Sequence, residues 1–482
     1  MRLRMLRRFE TSVVVALLFA TIALGQGEQP RQGGNRGARL PTTLFRTDVP
    51  EQALDVVAGR PQRDGITLRV LPRRPVAGTV QIVKVGQDWP ATEKFSPWKA
   101  NEPFDVVRRD LAPDMAYRWQ VLAQDKEGTP PTVVAEGNFH TQRPAGAEFS
   151  FAVQADSHLD EATAPEVYRR TLANLRATAP DFMIDLGDTF MTDKRTDYHA
   201  AAPQYLAQRF YFGSAGVPVL LVPGNHDGEA GYALNGDGET IATWANAMRR
   251  RYFANPIPGG IYTGNDRAER KLGLPENFFA FEWGDALFVG LDPYWFTRTK
   301  PRDDGWAWTL GARQYDWLRE TLVRSRARFT FVFIHHLVGG QGREARGGAE
   351  ASHFFEWGGE GADGKNLFAA KRPGWPAPIH ALLAARGRVV VLHGHDHLYA
   401  RQARGGVIYL EVPQPGHVRG GGARSAAEYG YREGKIDGGT GFMRIDVRAE
   451  SATINYVRTW LADAERADRK NAEIADSFSV GL

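Results

Sequence analysis

The chain has 482 residues, room for two or three domains, and its 43% apolar and 24% charged content excludes a wholly disordered or fibrous molecule. It has no cysteine, which excludes disulfides, thiolate-held metals, a cysteine nucleophile and a lipidated N-terminal cysteine; a transition-metal site must draw on the 12 histidines and on oxygen donors. Most of the net charge of +4 sits in the first ten residues (Arg2, Arg4, Arg7 and Arg8 against Glu10), so the remainder is near neutral and no nucleic-acid partner is expected.

The chain opens on that basic segment, followed by an apolar run over 13–24 and the small-residue step Ala23-Leu24-Gly25. These are the marks of a secretory signal peptide over 1–25, and the run is shorter than the roughly 20 residues that span a bilayer. They predict a periplasmic or secreted protein with no stable membrane insertion after cleavage. Residues 26–45 have the Gly, Arg, Gln and Pro composition of a flexible linker. Over 46–143, alternating runs at 66–70, 80–85, 117–121 and 132–139 predict a small β-sandwich. Its Leu111-x-Pro113-x-x-x-Tyr117-x-Trp119 segment resembles the tyrosine corner of fibronectin type III-like domains.

Beyond residue 146 the period changes. Apolar strands are predicted at 149–155, 182–186, 217–222, 286–291, 329–334 and 388–392, with helices at 161–179, 197–212, 312–325 and 378–385 between them. Such alternation predicts βαβ units and a largely parallel sheet within a domain over 147–460. Further strands are expected at 407–412, 442–447 and 453–457, and 461–482 reads as a charged, peripheral tail. The long Gly-rich connections 228–274 and 339–375 are expected to shape substrate choice.

Five of the predicted strands end in residues able to hold a metal: Asp156-Ser-His158, Gly187-Asp188, Gly224-Asn225-His226-Asp227, His335-His336 and Gly394-His395-Asp396-His397. Asp-x-His or Gly-Asp alone is an ordinary turn, and a lone His pair is ordinary packing. All five at strand ends, where open α/β sheets bind ligands, predict one shared metal site. The spacing leaves open whether His335 or His336 points into it.

In this order the motifs resemble the calcineurin-like metallophosphoesterase superfamily, over about 147–448. The resemblance implies an α/β, α+β-like fold of two packed β-sheets flanked by helices, with two metal ions at the strand ends. It implies Asp156, His158 and His397 on one ion, Asn225, His335 and His395 on the other, and Asp188 between them. Such ions share a hydroxide nucleophile, and mixed N and O donors leave Zn, Fe, Mn and Co open. His226 is then expected to protonate the leaving oxygen, with Asp227 orienting it. Arg343, Arg346 and His336 are expected substrate contacts. Trp306, Trp308, Trp357 and Trp375 are expected to wall the site, and His393, His417 and Asp292 to support it.

The sandwich-first order is similar to that of purple acid phosphatases. Those enzymes place a Tyr three residues after the bridging Asp and lack the His of Asp-x-His, whereas this chain has Met191 and His158, which argues against a tyrosinate-ligated centre. The expected activity is therefore exported, metal-dependent hydrolysis of a small-molecule phosphomonoester or phosphodiester. A non-catalytic binding protein on the same scaffold is opposed by the complete ligand set. A nuclease of the same superfamily is opposed by the near-neutral charge.

Overall fold

The strand Phe149–Gln154 shows how side-chain alternation builds the layers. Phe149, Phe151 and Val153 enter the core between two sheets, while Ala152 meets the helices on the outer face. In Phe329–Phe333 the three phenylalanines face the same inter-sheet core and Val332 faces the opposite helical layer. A strand buried on both faces needs apolar residues at every position, hence the near-continuous runs. The computed structural model describes residues 44–481 apart from 93, 125–128, 271 and 418–422. The expected signal segment and nearly all of the linker lie outside the described residues. No helix among the described residues is long and apolar enough to cross a membrane.

One sheet has six strands in the order Val219–Leu221, Met183–Asp185, Phe149–Gln154, Gly441–Val447, Ser451–Arg458 and Ile474–Gly481. Its first three run parallel and the last three antiparallel to their neighbours. The other has eight strands, with Ala286–Gly290, Phe329–Phe333, Val389–His393 and Val407–Glu411 parallel at its centre. Aromatic rings fill the space between the sheets: Phe151 meets Phe288 and Phe331 edge-on at 4.9 and 5.0 Å between centroids. Helices Pro165–Ala177 and Ala202–Ala215 cover one outer face, and Gly311–Arg324 and Ile379–Arg386 the other. The fold is thus mixed α/β with packed sheets, as expected.

Residues 54–140 form a separate pair of antiparallel sheets, three-stranded (Leu54–Gly59, Ile66–Pro72, Phe104–Arg108) and four-stranded (Ser96–Trp98, Val76–Lys84, Ala116–Gln124, Thr132–His140). Trp119, Leu68 and Val121 lie in their common core. The Tyr117 hydroxyl accepts the Ala112 N–H at 2.8 Å. This sandwich is pinned to the helical layer by Arg209, which is fully buried and donates to the Asp55 carboxylate and to the carbonyls of Asp55 (3.1 Å) and Arg69 (2.9 Å).

Two expectations are corrected. The connection 228–274 contains a helix, Ile241–Tyr252, started by a reciprocal Thr240–Thr243 capping box. The stretch 461–482 is not simply a tail: Ile474–Gly481 adds an antiparallel strand to the six-stranded sheet, with Phe478 and Val480 packed on its core. The charged residues before it conceal that alternation in the sequence.

Candidate metal centre

All five motifs emerge at one end of the two facing sheets. Asp156, Asp188 and Asn225 follow strands of the six-stranded sheet, and His335, His395 and His397 follow strands of the eight-stranded one. Strand ends leave the backbone free to turn sharply, and Asp156, Asp188, His395 and His397 all sit in left-handed conformations, with φ of 54°, 53°, 82° and 57°. Each costs on the order of 1 kcal/mol and persists only where surrounding contacts hold it. Asp156 Oδ2 accepts the His395 N–H at 2.8 Å, and Asp188 Oδ1 accepts the His226 N–H at 2.7 Å. The glycines serve close approach: a Cβ on Gly394 would sit 2.6 Å from Asp156 Oδ2.

The donors gather in two groups, Asp156–His158–His397 and Asp188–His335–His395, with the ligand atoms of each group within 4.8 Å of one another. His335 joins the two groups, its Nε2 lying 3.2 Å from Asp188 Oδ2 and 4.0 Å from Asp156 Oδ1. His397 Nε2 lies 3.2 Å from Asp156 Oδ1. His158 is buried, with Nδ1 3.2 Å from Asp160 and Nε2 2.8 Å from the Gln414 amide nitrogen. His335 Nδ1 donates to the Leu186 carbonyl at 2.9 Å, which leaves Nε2 facing the carboxylates as the nitrogen that takes either a proton or a metal.

These residues fit a metal. Asp156 Oδ1, His335 Nε2 and Asn225 Oδ1 are all buried without a hydrogen-bond partner. An orphaned carboxylate oxygen and imidazole nitrogen are costly to bury unless a cation meets their lone pairs. The electrostatics agree. Burial disfavours charge on His335, yet the Asp188 and Asp156 carboxylates outweigh it and raise its pKa to about 9. Burial pushes the Asp188 carboxyl up, but His335 and His226 hold it well below the usual range. The pocket is built to hold positive charge.

The structure distinguishes the two adjacent histidines. His336 lies outside both donor groups; it packs edge-on against Trp308 (4.7 Å) and Tyr294 (5.2 Å), and burial lowers its pKa to about 3, keeping it neutral. It lines, with Asn225, His226 and His395, a cavity of about 690 Å³.

Asp227 does not orient His226. Its carboxylate instead accepts the backbone N–H groups of Asp188 (3.1 Å), Thr189, Phe190 and Gly224 (2.8 Å each), clamping the loop that carries Asp188. The partner of His226 is Asp193, whose oxygens lie 2.9 and 3.0 Å from Nδ1. No sequence signal marks Asp193, because the loop 188–193 alone brings it back to the 225–227 turn.

Arg346 is also not free to clamp a substrate: it is held by Asp396 (2.8 Å), Glu344 (2.6 Å) and the His395 carbonyl (3.1 Å), bracing the His395 loop. Arg343 is exposed beside the cavity, 3.4 Å from Asp303. Of the four tryptophans only Trp308 lines the cavity; Trp306 packs on Phe355, Trp357 donates to Tyr409 Oη at 2.9 Å, and Trp375 stacks on Tyr315. His393 Nδ1 meets Glu411 at 2.6 Å, and Glu411 also accepts the Asp396 N–H, so this pair supports the same loop from behind. Asp292 is spent on the turn after Ala286–Gly290, accepting the Tyr294 and Trp295 N–H groups.

A family model described as calcineurin-like phosphoesterase matches residues 149–399. No curated protein matches the chain in sequence. Among solved structures, PhoD is similar with a TM-score of 0.59 at 14% identity, covering 90% of this chain and 91% of its own, a likeness of fold. GAP50, the anchor in the inner membrane complex of Plasmodium, is similar at 11% identity over 70% of this chain and 89% of its own, with a TM-score of only 0.36.

Proposed function

The chain belongs to the calcineurin-like phosphoesterase family, which supports a metal-dependent phosphoester hydrolase, and we propose that it hydrolyses a small-molecule phosphomonoester or phosphodiester at two metal ions. In this reading Asp156, His158 and His397 hold one ion, Asn225, His335 and His395 the other, and Asp188 lies between. The observation that carries it is the pair of donor groups with buried, unpartnered Asp156 Oδ1 and His335 Nε2 beside an open cavity. When bound, divalent ions of this kind lower the pKa of water and neutralise phosphoryl oxygens.

The remaining steps belong to side chains. His226, held by Asp193 and lining the cavity, donates a proton from Nε2 to the leaving oxygen. Asn225, a neutral ligand, limits the negative charge that an anionic phosphate must approach. Met191, buried three residues after Asp188, provides no phenolate, so the centre is not of the tyrosinate type. Residues 1–25 act as an export signal to the periplasm or exterior. Residues 46–143 form a fibronectin type III-like module, a reading supported by the Tyr117–Ala112 hydrogen bond.

The test is metal analysis with hydrolysis of p-nitrophenyl and bis-p-nitrophenyl phosphate by Mn-, Zn- or Fe-loaded protein. Asp188→Asn should abolish turnover, and His226→Ala should lower it with metal content unchanged. Full metal occupancy without turnover of either ester would sink the reading.

A further inference from the structure

We infer that the substrate carries a second phosphate on its leaving portion, received by Lys194, Lys300 and Arg302 at the mouth of the cavity. The inference rests on the phosphoesterase reading for the reaction at the cavity floor, but its own support is the charge arrangement above that floor.

The cavity is lined by five cations, Lys194, Lys300, Arg302, Arg343 and Arg346, and by two carboxylates, Asp193 and Glu344. Both carboxylates are engaged: Asp193 with His226 at 2.9 Å, and Glu344 with Arg346 at 2.6 Å. Arg346 is further held by Asp396, and Arg343 faces Asp303. Lys194, Lys300 and Arg302 make no ion pair within 4 Å among the described residues; Glu344 feels the charge of Lys194 but is bonded to Arg346, so the opening carries more positive than negative charge. Lys300 and Arg302 are exposed, as solvated cations usually are, but Lys194 is half-buried beside the cavity and still unpaired.

Three neighbouring cations repel one another, and an anion between them relieves that repulsion and gains directed hydrogen bonds. A carboxylate offers one charge, whereas a phosphate offers close to two and three acceptor oxygens, and matches the three donors better. The volume of about 690 Å³ also exceeds what a lone phosphoryl group fills and lies in the range of organic ligands. Tyr232, over which Lys300 Nζ sits 5.8 Å from the ring centroid, and Trp308 add aromatic surface to the same lining.

The test uses the Mn-loaded full chain and two non-hydrolysable probes, phenylphosphonate and 1,4-phenylenediphosphonate, with Kd read by calorimetry. The diphosphonate should bind about tenfold tighter at low ionic strength, and the advantage should shrink with salt. In K194A/K300A/R302A the ratio of the two Kd values should fall to about one, and in K300A/R302A it should fall part-way. Equal Kd values in the wild type, or a ratio unchanged in both variants, would overturn the inference.

Turnover of matched pairs then identifies the leaving portion. A higher kcat/KM for adenosine 3′,5′-bisphosphate than for AMP points to a ring-bearing substrate, and one for fructose 1,6-bisphosphate over fructose 6-phosphate to a polyol; neither gain would count against the second phosphate. The two readings fail separately. A diphosphonate preference without hydrolysis of p-nitrophenyl phosphate removes the reaction and keeps the subsite. Hydrolysis with equal phosphonate affinities removes the subsite alone.

Discussion

A carboxylate that accepts four backbone N–H groups is an internal cap, and Asp227 does this for the turn carrying Asp188. Burial and the neighbouring Asp188 push the Asp227 pKa up to about 7, so it is above that pH that Asp227→Asn, which keeps one acceptor oxygen and loses the charge, should destabilise the protein by about 2 kcal/mol, since hydrogen bonds to charged groups contribute 1.5–3. Denaturation with and without added metal would show that loss together with weakened metal retention. Asp193→Asn should do the opposite, leaving the melting temperature nearly unchanged while lowering kcat toward the level of His226→Ala. His140 supplies a pH dependence far from the site. Burial lowers its pKa, outweighing the Nδ1 hydrogen bond to the Thr141 carbonyl (2.6 Å). The unfolded chain therefore takes up this proton below about 6.5 while the folded chain stays neutral. The stability contributed is complete above that value and is lost as pH falls toward the depressed folded pKa. Unfolding free energies between pH 5 and 7 should show a smaller slope in His140→Gln.

At the scale of elements, the loop 394–397 shows strain held in place by neighbours. His395 and His397 take left-handed backbone, Asp396 is gripped by Arg346, Gly347 and Tyr431, and Gly394 lies against Asp156. Gly394→Ala should push the Asp156 carboxylate off its place; metal analysis should find the protein folded with reduced occupancy. The strand ends themselves were legible in sequence, because a turn needing Gly beside Asp or His leaves a short local signature. Asp188, His395 and His397 carry that Gly signature, Asp156 is marked by Asp-x-His at a strand end, and the His335-His336 pair is legible as a pair while the choice of His335 needs the structure. Asp193, Lys194, Lys300 and Arg302 were not legible, since their place depends on how loops fold back, which no local pattern records. Asp227 was found but misread: adjacency suggested His226 as its partner, whereas a short side chain beside a tight turn reaches backbone amides first. Likewise Phe478 and Val480 alternate as a strand should, but the charged residues before them hid the edge of the sheet.

Over the whole molecule, Arg209 ties the sandwich to the helical layer from a fully buried position. Arg209→Leu would leave Asp55 with Arg73 alone, at 2.7 Å, so a loss of about 3 kcal/mol is expected, the lower end for breaking a buried pair. Chemical denaturation would read it, and metal content should be unaffected. The order of the six-stranded sheet has a further consequence, in time rather than space. Gly441–Val447 is one of the two neighbours of Phe149–Gln154, the strand that leads into Asp156, so that strand is paired on the Met183–Asp185 side only until nearly all of the chain has been made. A chain ending at residue 440 should accordingly be protease-sensitive and hold no metal. Contacts this distant in sequence form late in folding, and binding metal is part of completing the fold. On the proposed reading, in which the chain is exported and holds two ions, these would be taken from whichever compartment contains the chain when its last strands dock, so the timing of synthesis and transit would help to choose the metal alongside the chemistry of the donors.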